Sequence, residues 1–272
     1  MLPFAIDVSK VRDINEVGVA PGGSGLRPLD ARSIALSVLL GSHPPVLPAR
    51  ALVALAELFG IAGGTMRTAL SRMVAGGELE LVDGRYRLTG RLLDRQRAQD
   101  IGRRGPGDAW DGGWHTVVAA RHQRQLAERR RFRATLGQHR FGELRPDIWM
   151  RPANLEPPPA DAETIVTTGA LSGADPVQLC RRLWDLDALR KRGDDLRSGL
   201  RRLTAGADWS DPSSIPAVFT FSAAVVRYLR DDPVLPVALT PEGWPATALR
   251  ADYDAAEQRL QHLLHGFLTA AT

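Results

Sequence analysis

Residues 61–88 constrain this chain more than any other stretch: a helix with a bare cationic face, followed at once by a short basic β-ribbon. Along Ile61-Ala62-Gly63-Gly64-Thr65-Met66-Arg67-Thr68-Ala69-Leu70-Ser71-Arg72-Met73, the residues Met66, Leu70 and Met73 recur at helical spacing and make one apolar stripe. Arg67, Thr68, Ser71 and Arg72 project from the other side, so the exposed face carries donors and positive charge and no acid. Gly76-Gly77 ends the helix, because glycine reaches positive φ without strain. Glu78-Leu79-Glu80-Leu81-Val82 then alternates, Asp83-Gly84 turns, and Arg85-Tyr86-Arg87-Leu88 alternates back, the signature of a hairpin.

Two helices are expected before this one. Asp30 caps a helix to Leu40 with Ile34, Val38 and Leu39 among its apolar positions, and Gly41 followed by His43-Pro44-Pro45 stops it. Leu47-Pro48 opens a second helix over residues 48–59, with Leu52, Leu55, Ala56 and Phe59 inward, and Gly60 turns into the third at 62–75. Three helices and a hairpin over residues 30–90 are the order of a winged helix-turn-helix. In that geometry the third helix enters the major groove of DNA. Arg67 and Arg72 donate in pairs to guanine or to phosphates, and Thr65, Thr68 and Ser71 are short enough for phosphates or base edges. Arg85 and Arg87, two apart, share one face of the hairpin and reach the backbone or the minor groove. The plain alternative is a solvated helix and a solvated hairpin. The combination of order, turn and charge favours DNA.

Charge adds a second argument. Residues 30–104 carry 11 basic against 7 acidic side chains and residues 110–152 carry 9 against 4, whereas residues 153–272 carry 12 against 16. The basic part coincides with the helix-hairpin and the segment after it, which fits a polyanionic partner. Arg in place of Lys reflects codon bias as readily as function, but bias does not explain the asymmetry. A chain of 272 residues with 44% hydrophobic and 24% charged residues is an ordinary globular composition for two or three domains. It has no apolar run near ~20 residues, no secretory leader is expected from its first residues, and its single cysteine, Cys180, forms no internal disulfide and no Cys-pair metal site. The expected location is the cytoplasm.

The rest of the chain divides by composition. Residues 1–29, with Gly22-Gly23-Ser24-Gly25, read as a flexible tail; residues 91–109 form a linking helix that ends in Gly102, Gly105, Pro106 and Gly107. Residues 110–172 give a strand at 115–120, an Arg-rich helix at 124–138, strands at 141–144 and 148–151, and a β-branched strand at 164–168. That pattern is a small ferredoxin-like α/β unit with its second helix reduced or missing. Residues 173–272 are helical, and Cys180 shares a face with Val177, Leu183 and Trp184 as a core thiol. The fold class is therefore α+β and multidomain.

Ordered motifs run through all of this. They are Arg67-Thr68-Ala69-Leu70-Ser71-Arg72-Met73, Trp110-Asp111-Gly112-Gly113-Trp114-His115, Phe141-Gly142-Glu143-Leu144 with Ile148-Trp149, Leu183-Trp184-Asp185-Leu186, Leu229-Arg230-Asp231-Asp232-Pro233-Val234-Leu235-Pro236 and Gly243-Trp244-Pro245. With them, residues 30–265 resemble the PaaX family of bacterial transcriptional repressors. The resemblance implies a winged-helix DNA-binding domain, a Cas2-like middle domain and a helical C-terminal domain. It also implies a homodimer on a palindromic operator, released by an effector of the acyl-CoA class, with no cofactor. Two stretches depart from the pattern: Ala62-Gly63-Gly64 replaces a polar first turn of the reading helix, and residues 153–163 are too Pro-rich for the middle domain's second helix.

An acyl-CoA needs cations for its phosphates and an apolar slot for its acyl part. Arg145 and Arg151 near Trp149, and Arg181 near Trp184, supply those types; the alternative is that the tryptophans are core and the arginines surface. Enzyme readings are weaker. A Cas2-like nuclease needs an acid on its first strand to hold a metal, and 115–120 has none, with Asp111 lying before it. His262 and His265 are two ligands and not a metal site. The readings that remain open are the effector-controlled repressor, a ligand-independent or architectural DNA binder, and a Cas2-like nuclease or interaction module.

Overall fold

The computed structural model describes residues 28–107, 110–119, 126–157 and 164–270. The tail expected over residues 1–29 lies outside them up to residue 27, as do the start of the Arg-rich segment and Pro158-Pro159.

Helix α1, Ala31–Gly41, starts where the Asp30 carboxylate accepts the Ser33 N–H at 2.7 Å, and the Ser33 hydroxyl together with this N–H holds the carboxyl below its usual range. Val46–Pro48 is a short strand, β1, and helix α2 follows as Ala49–Leu58. The helix expected to open at Leu47-Pro48 thus begins one residue later, and the residues before it are extended. Helix α3, Gly63–Ala75, buries Met66, Leu70 and Met73. Strands β2, Leu79–Val82, and β3, Arg85–Leu88, pair with Leu79 opposite Leu88 and Val82 opposite Arg85. Asp83 and Gly84 both take positive φ, 50° and 71°, as a type I′ turn demands. Strand β1 pairs with β3 on its other side, so the sheet order is β1-β3-β2. Pro48 sits in an edge strand, where its missing N–H costs no ladder bond. Three helices with this hairpin have the element order of a winged helix-turn-helix.

The remaining helices are α4, Gly90–Arg104; α5, Leu126–Gln138; α6, Pro176–Leu183; α7, Leu186–Gly206; α8, Ile215–Asp231; and α9, Pro245–Ala270. The chain divides into two compact units. One takes the chain through Arg97 with Asp195–Val225 and the chain from Ala251; the other takes Ala98–Asp194 and Val226–Arg250.

The first unit has one apolar core. Ile34, Leu39, Leu52, Leu55, Met66, Leu70 and Leu79 are buried in the same cluster as Ile215, Val218, Leu260 and Leu264 from the C-terminal helices. Phe59 meets Phe219 edge to face at 5.6 Å. Gln96 on α4 is buried, and its amide nitrogen donates to the carbonyls of Leu40 at 3.0 Å and Ser42 at 2.9 Å. Carbonyls at a helix end have no partner within the helix, and Gln96 supplies one to the end of α1.

The second unit is built on a four-stranded antiparallel sheet of β4, Gly113–Ala119; β5, Gly142–Arg145; β6, Ile148–Pro152; and β7, Thr164–Ala170. Its order, β5-β6-β4-β7, is the ferredoxin-like one. Alternation along the strands divides the core. Val117, Trp149 and Phe141 pack with Leu136 and Phe132 of α5 on one face. Trp114 and Met150 pack with Leu179, Cys180 and Leu183 of α6 on the other. Residues 153–157, the described part of the β6–β7 connection, form no helix. Cys180 is fully buried, and burial raises its thiol to about 12. Val177, expected on the same inward face, is exposed instead, because it lies in the first turn of the short helix α6.

Candidate nucleic-acid interface

Helix α3 presents Thr65, Arg67, Thr68, Ser71 and Arg72 to solvent while its apolar stripe is fully inside. The two faces follow from one spacing, so burying Met66, Leu70 and Met73 turns the cationic side outward. The helix starts at Ala62 with no side-chain cap, and its first residue is a close-approach point. A Cβ on Gly63 would stand 2.9 Å from Val53 Cγ1 and 3.0 Å from Glu57 Oε1, whereas one on Gly64 would meet nothing within 4 Å. The glycine at 63 thus lets α3 lie against α2, and the apparent weakness of the first turn is a packing requirement at one position only. Thr68 Oγ1 donates to the Gly64 carbonyl at 2.9 Å, which leaves its oxygen as an acceptor and its proton engaged. Of the hydroxyl candidates, Thr65 and Ser71 therefore keep the donors that a phosphate needs.

On the hairpin, Arg85 and Arg87 are both exposed and project to the same side of β3. Glu80 lies directly opposite Arg87, and its carboxylate accepts the Arg87 Nε at 2.8 Å and pairs with Nη2 at 2.6 Å. Arg87 is thus half-neutralised and Arg85 is the freer cation. A two-residue loop that sets 82 against 85 also sets 80 against 87, so this pairing was readable from the sequence. Strand β1 places Val46 and Pro48 beside Arg87 and Arg85, a flank that the sequence did not reveal. The hairpin's base is tied down: Arg32 on α1 pairs with Glu78, Nε to Oε2 at 3.1 Å, and Thr89 Oγ1 donates to the Glu78 carbonyl at 3.0 Å. Arg32 holds the Glu78 carboxyl below its usual range.

The five effector candidates are not brought together. Trp149 belongs to the α5 face of the middle sheet and Trp184 packs against the α6 face. Arg145 and Arg181 are exposed. Arg151 is 2% exposed, against the expectation of a surface arginine, and each of its three guanidinium nitrogens donates inside. Nε donates to Pro152 O, Nη1 to His139 O and Nη2 to Asn154 Oδ1, each at 3.0 Å. Burial, with the Arg140 charge acting in the same direction, lowers this guanidinium to about 9. Arg140, 3% exposed, donates to the carbonyls of Ala98 at 3.0 Å and Leu229 at 3.3 Å. Asp232 is 1% exposed; it pairs with Arg250 and accepts the Trp244 indole N–H at 3.2 Å. Arg250 Nε in turn donates to Gly102 O at 2.8 Å. Sequence reasoning passed over Arg140 and Arg250 because arginine is rarely buried; the Asp232-Pro233 step just ahead of an apolar run was the available signal.

Asp111, the acid nearest the first middle strand, accepts the Gly113 N–H at 2.8 Å and shapes the turn before β4. His262 and His265 are both exposed. Among the described residues no group of three or more His, Cys, Asp or Glu side chains converges as a metal site would require, and no helix is long and apolar enough to cross a membrane.

A helical domain that turns a cationic helix face and a basic hairpin outward has the layout of a DNA-binding domain. Comparison with known proteins gives the family. Residues 30–92 match the PaaX-like protein model, and residues 107–166 match the PaaX protein central Cas2-like domain. The chain is also similar to a solved structure, that of the uncharacterized protein Rv0674 from Mycobacterium tuberculosis. The two are 37% identical with a TM-score of 0.65, over 88% of this chain and 98% of that one. No curated protein matches. This chain belongs to the PaaX family, whose members are DNA-binding transcriptional regulators.

Proposed function

We propose that the protein is a homodimeric, effector-controlled transcriptional repressor that reads a palindromic operator with α3. The observation that supports this most is the exposed face of α3, where Arg67, Ser71 and Arg72 stand without an acid between them. Arg67 and Arg72 contact bases or phosphates, Thr65 and Ser71 donate to phosphates, Thr68 accepts, and Arg85 with Arg87 holds the flanking backbone. Two copies related by a two-fold axis place two such helices in successive major grooves. An acyl-CoA effector changes the spacing of the two helices and so the affinity, which requires it to bind one spacing better than the other. Arg145 and Arg181, exposed at separate places, are the cations available to its phosphates, and Trp184 is the half-buried aromatic beside the second; Trp149 and Arg151 shape the fold around them.

The test is a gel-shift with the DNA upstream of the protein's own gene, with and without a panel of acyl-CoAs. Binding that an acyl-CoA releases is the expected result, and binding that no ligand releases would replace the reading with a constitutive binder. Arg67→Ala and Arg72→Ala should each weaken operator binding by ~10- to 100-fold, the equivalent of about 1–3 kcal/mol for a paired guanine contact. Full affinity in both variants would refute the assignment of α3 as the reading helix.

A further inference from the structure

Helix α5 carries four arginines, Arg129, Arg130, Arg131 and Arg133, against one acid, Glu128. Its inner side is committed, since Leu136 is buried and Phe132 packs with it against Val117 and Trp149. The arginines are all exposed. Arg133 donates to Glu143 at 2.8 Å, whereas Arg129, Arg130 and Arg131 have no carboxylate partner among the described residues. By contrast, Arg97 on α4 and Arg192 and Arg197 on α7 each pair with an aspartate. At 100° per residue the three consecutive guanidiniums fan across the solvent side of α5. The exposed positions around them include the small Ala127, Ala134 and Gly137 beside Leu126, Glu128, Thr135 and Gln138, and a Cβ at Gly137 would meet nothing within 4 Å.

We infer that this face of α5 is a second contact surface for DNA, one that grips the phosphate backbone without reading sequence. The inference rests on the proposed DNA-binding function and adds a contact outside the reading domain. The chemistry selects the partner. A small anion such as a free phosphate or a coenzyme needs donors that converge in a concave site. A fan of cations on a convex helix suits an extended polyanion approached along its length. A lipid surface would need an apolar face to insert; Phe132 and Leu136 are packed on the sheet, and one exposed leucine, Leu126, does not make such a face.

The test compares the full-length protein with the R129A/R130A/R131A variant on the operator and on a scrambled duplex over a salt series. Each phosphate contact contributes about 0.9 to the slope of log K against log salt. The variant should therefore show a slope shallower by roughly 2–3 on both duplexes, with the preference for operator over scrambled DNA retained. R129K/R130K/R131K should restore the slope, since lysine keeps the charge, and an unchanged melting curve establishes that the exposed substitutions leave the fold intact. Equal slopes for the wild type and the alanine variant on both duplexes overturn this inference and leave the α3 assignment standing. Operator preference kept in both R67A and R72A, with the slope difference of the α5 variant intact, does the reverse. A slope unchanged on DNA together with lost binding to anionic vesicles would also overturn it and assign the surface to lipid.

Discussion

The two glycines that open α3 invite a paired experiment, because the same substitution should have opposite signs at neighbouring positions. Glycine in a helix is destabilising relative to alanine by roughly 0.5–1 kcal/mol, a loss of backbone entropy that a methyl group recovers. At Gly64 the new methyl meets nothing within 4 Å, so G64A should gain up to that amount. At Gly63 the same gain is opposed by Val53 Cγ1 at 2.9 Å and Glu57 Oε1 at 3.0 Å. The glutamate can swing aside, but Val53 is 8% exposed and β-branched, with one strongly preferred rotamer in helix α2. Overpacking of this kind costs about 1–3 kcal/mol, so G63A should lose ~0.5–2 kcal/mol net. The variants should then differ by roughly 1–3 kcal/mol. With a urea dependence of about 1–3 kcal/mol per molar, their unfolding midpoints separate by the order of 1 M at unchanged slope. The assay is urea unfolding followed by helical ellipticity for the wild type and both variants. Midpoints that coincide, or a G63A midpoint above that of G64A, would show that α3 does not need its close approach to α2. The operator affinity gives a second readout: G64A should keep it, and G63A should weaken it by moving the reading helix.

Two further outcomes follow from buried groups. With its pKa raised to about 12, the Cys180 thiol should stay protonated and resist a thiol reagent at pH 8 in the native protein, then react with one equivalent after unfolding; fast native labelling would contradict its burial. Asp232→Asn or Arg250→Met alone should destabilise by about 3–5 kcal/mol, because each leaves the other partner buried without its counter-charge, while the double variant should lose less than the sum. Additive losses in a denaturation cycle would show that the pair is not coupled.

The parts of the fold that were legible in the sequence are those where one local rule decides. A 3.6-residue stripe fixed which side of α3 faces out, and an Asp-Gly step between alternating runs fixed the hairpin and its register. Strand β1 was hidden because three residues show no period. Partnership at a distance was hidden too: nothing local marks Gln96 as the partner of α1's last carbonyls, or Arg140 and Arg151 as buried donors to main-chain oxygens. Gly63 looked like a defect because sequence reports a missing side chain but not the neighbour that forbids one. Of the candidate site, the cationic helix face was readable residue by residue and the hairpin register set Glu80 against Arg87, whereas nothing in the sequence marks Thr68 as bonded to its own helix.

The shared core of the first unit has a consequence for the order in which the chain becomes competent. Ile34, Leu52 and Leu70 near the start close around the same cluster as Leu260 and Leu264 near the end. Contacts so distant along the chain are slow to form, and domains generally acquire their structure as units during synthesis. The reading helix is made early by the ribosome but completes its supporting core only when the last helix emerges. A product truncated before α9 would carry the candidate DNA-contacting residues without the framework that aims them.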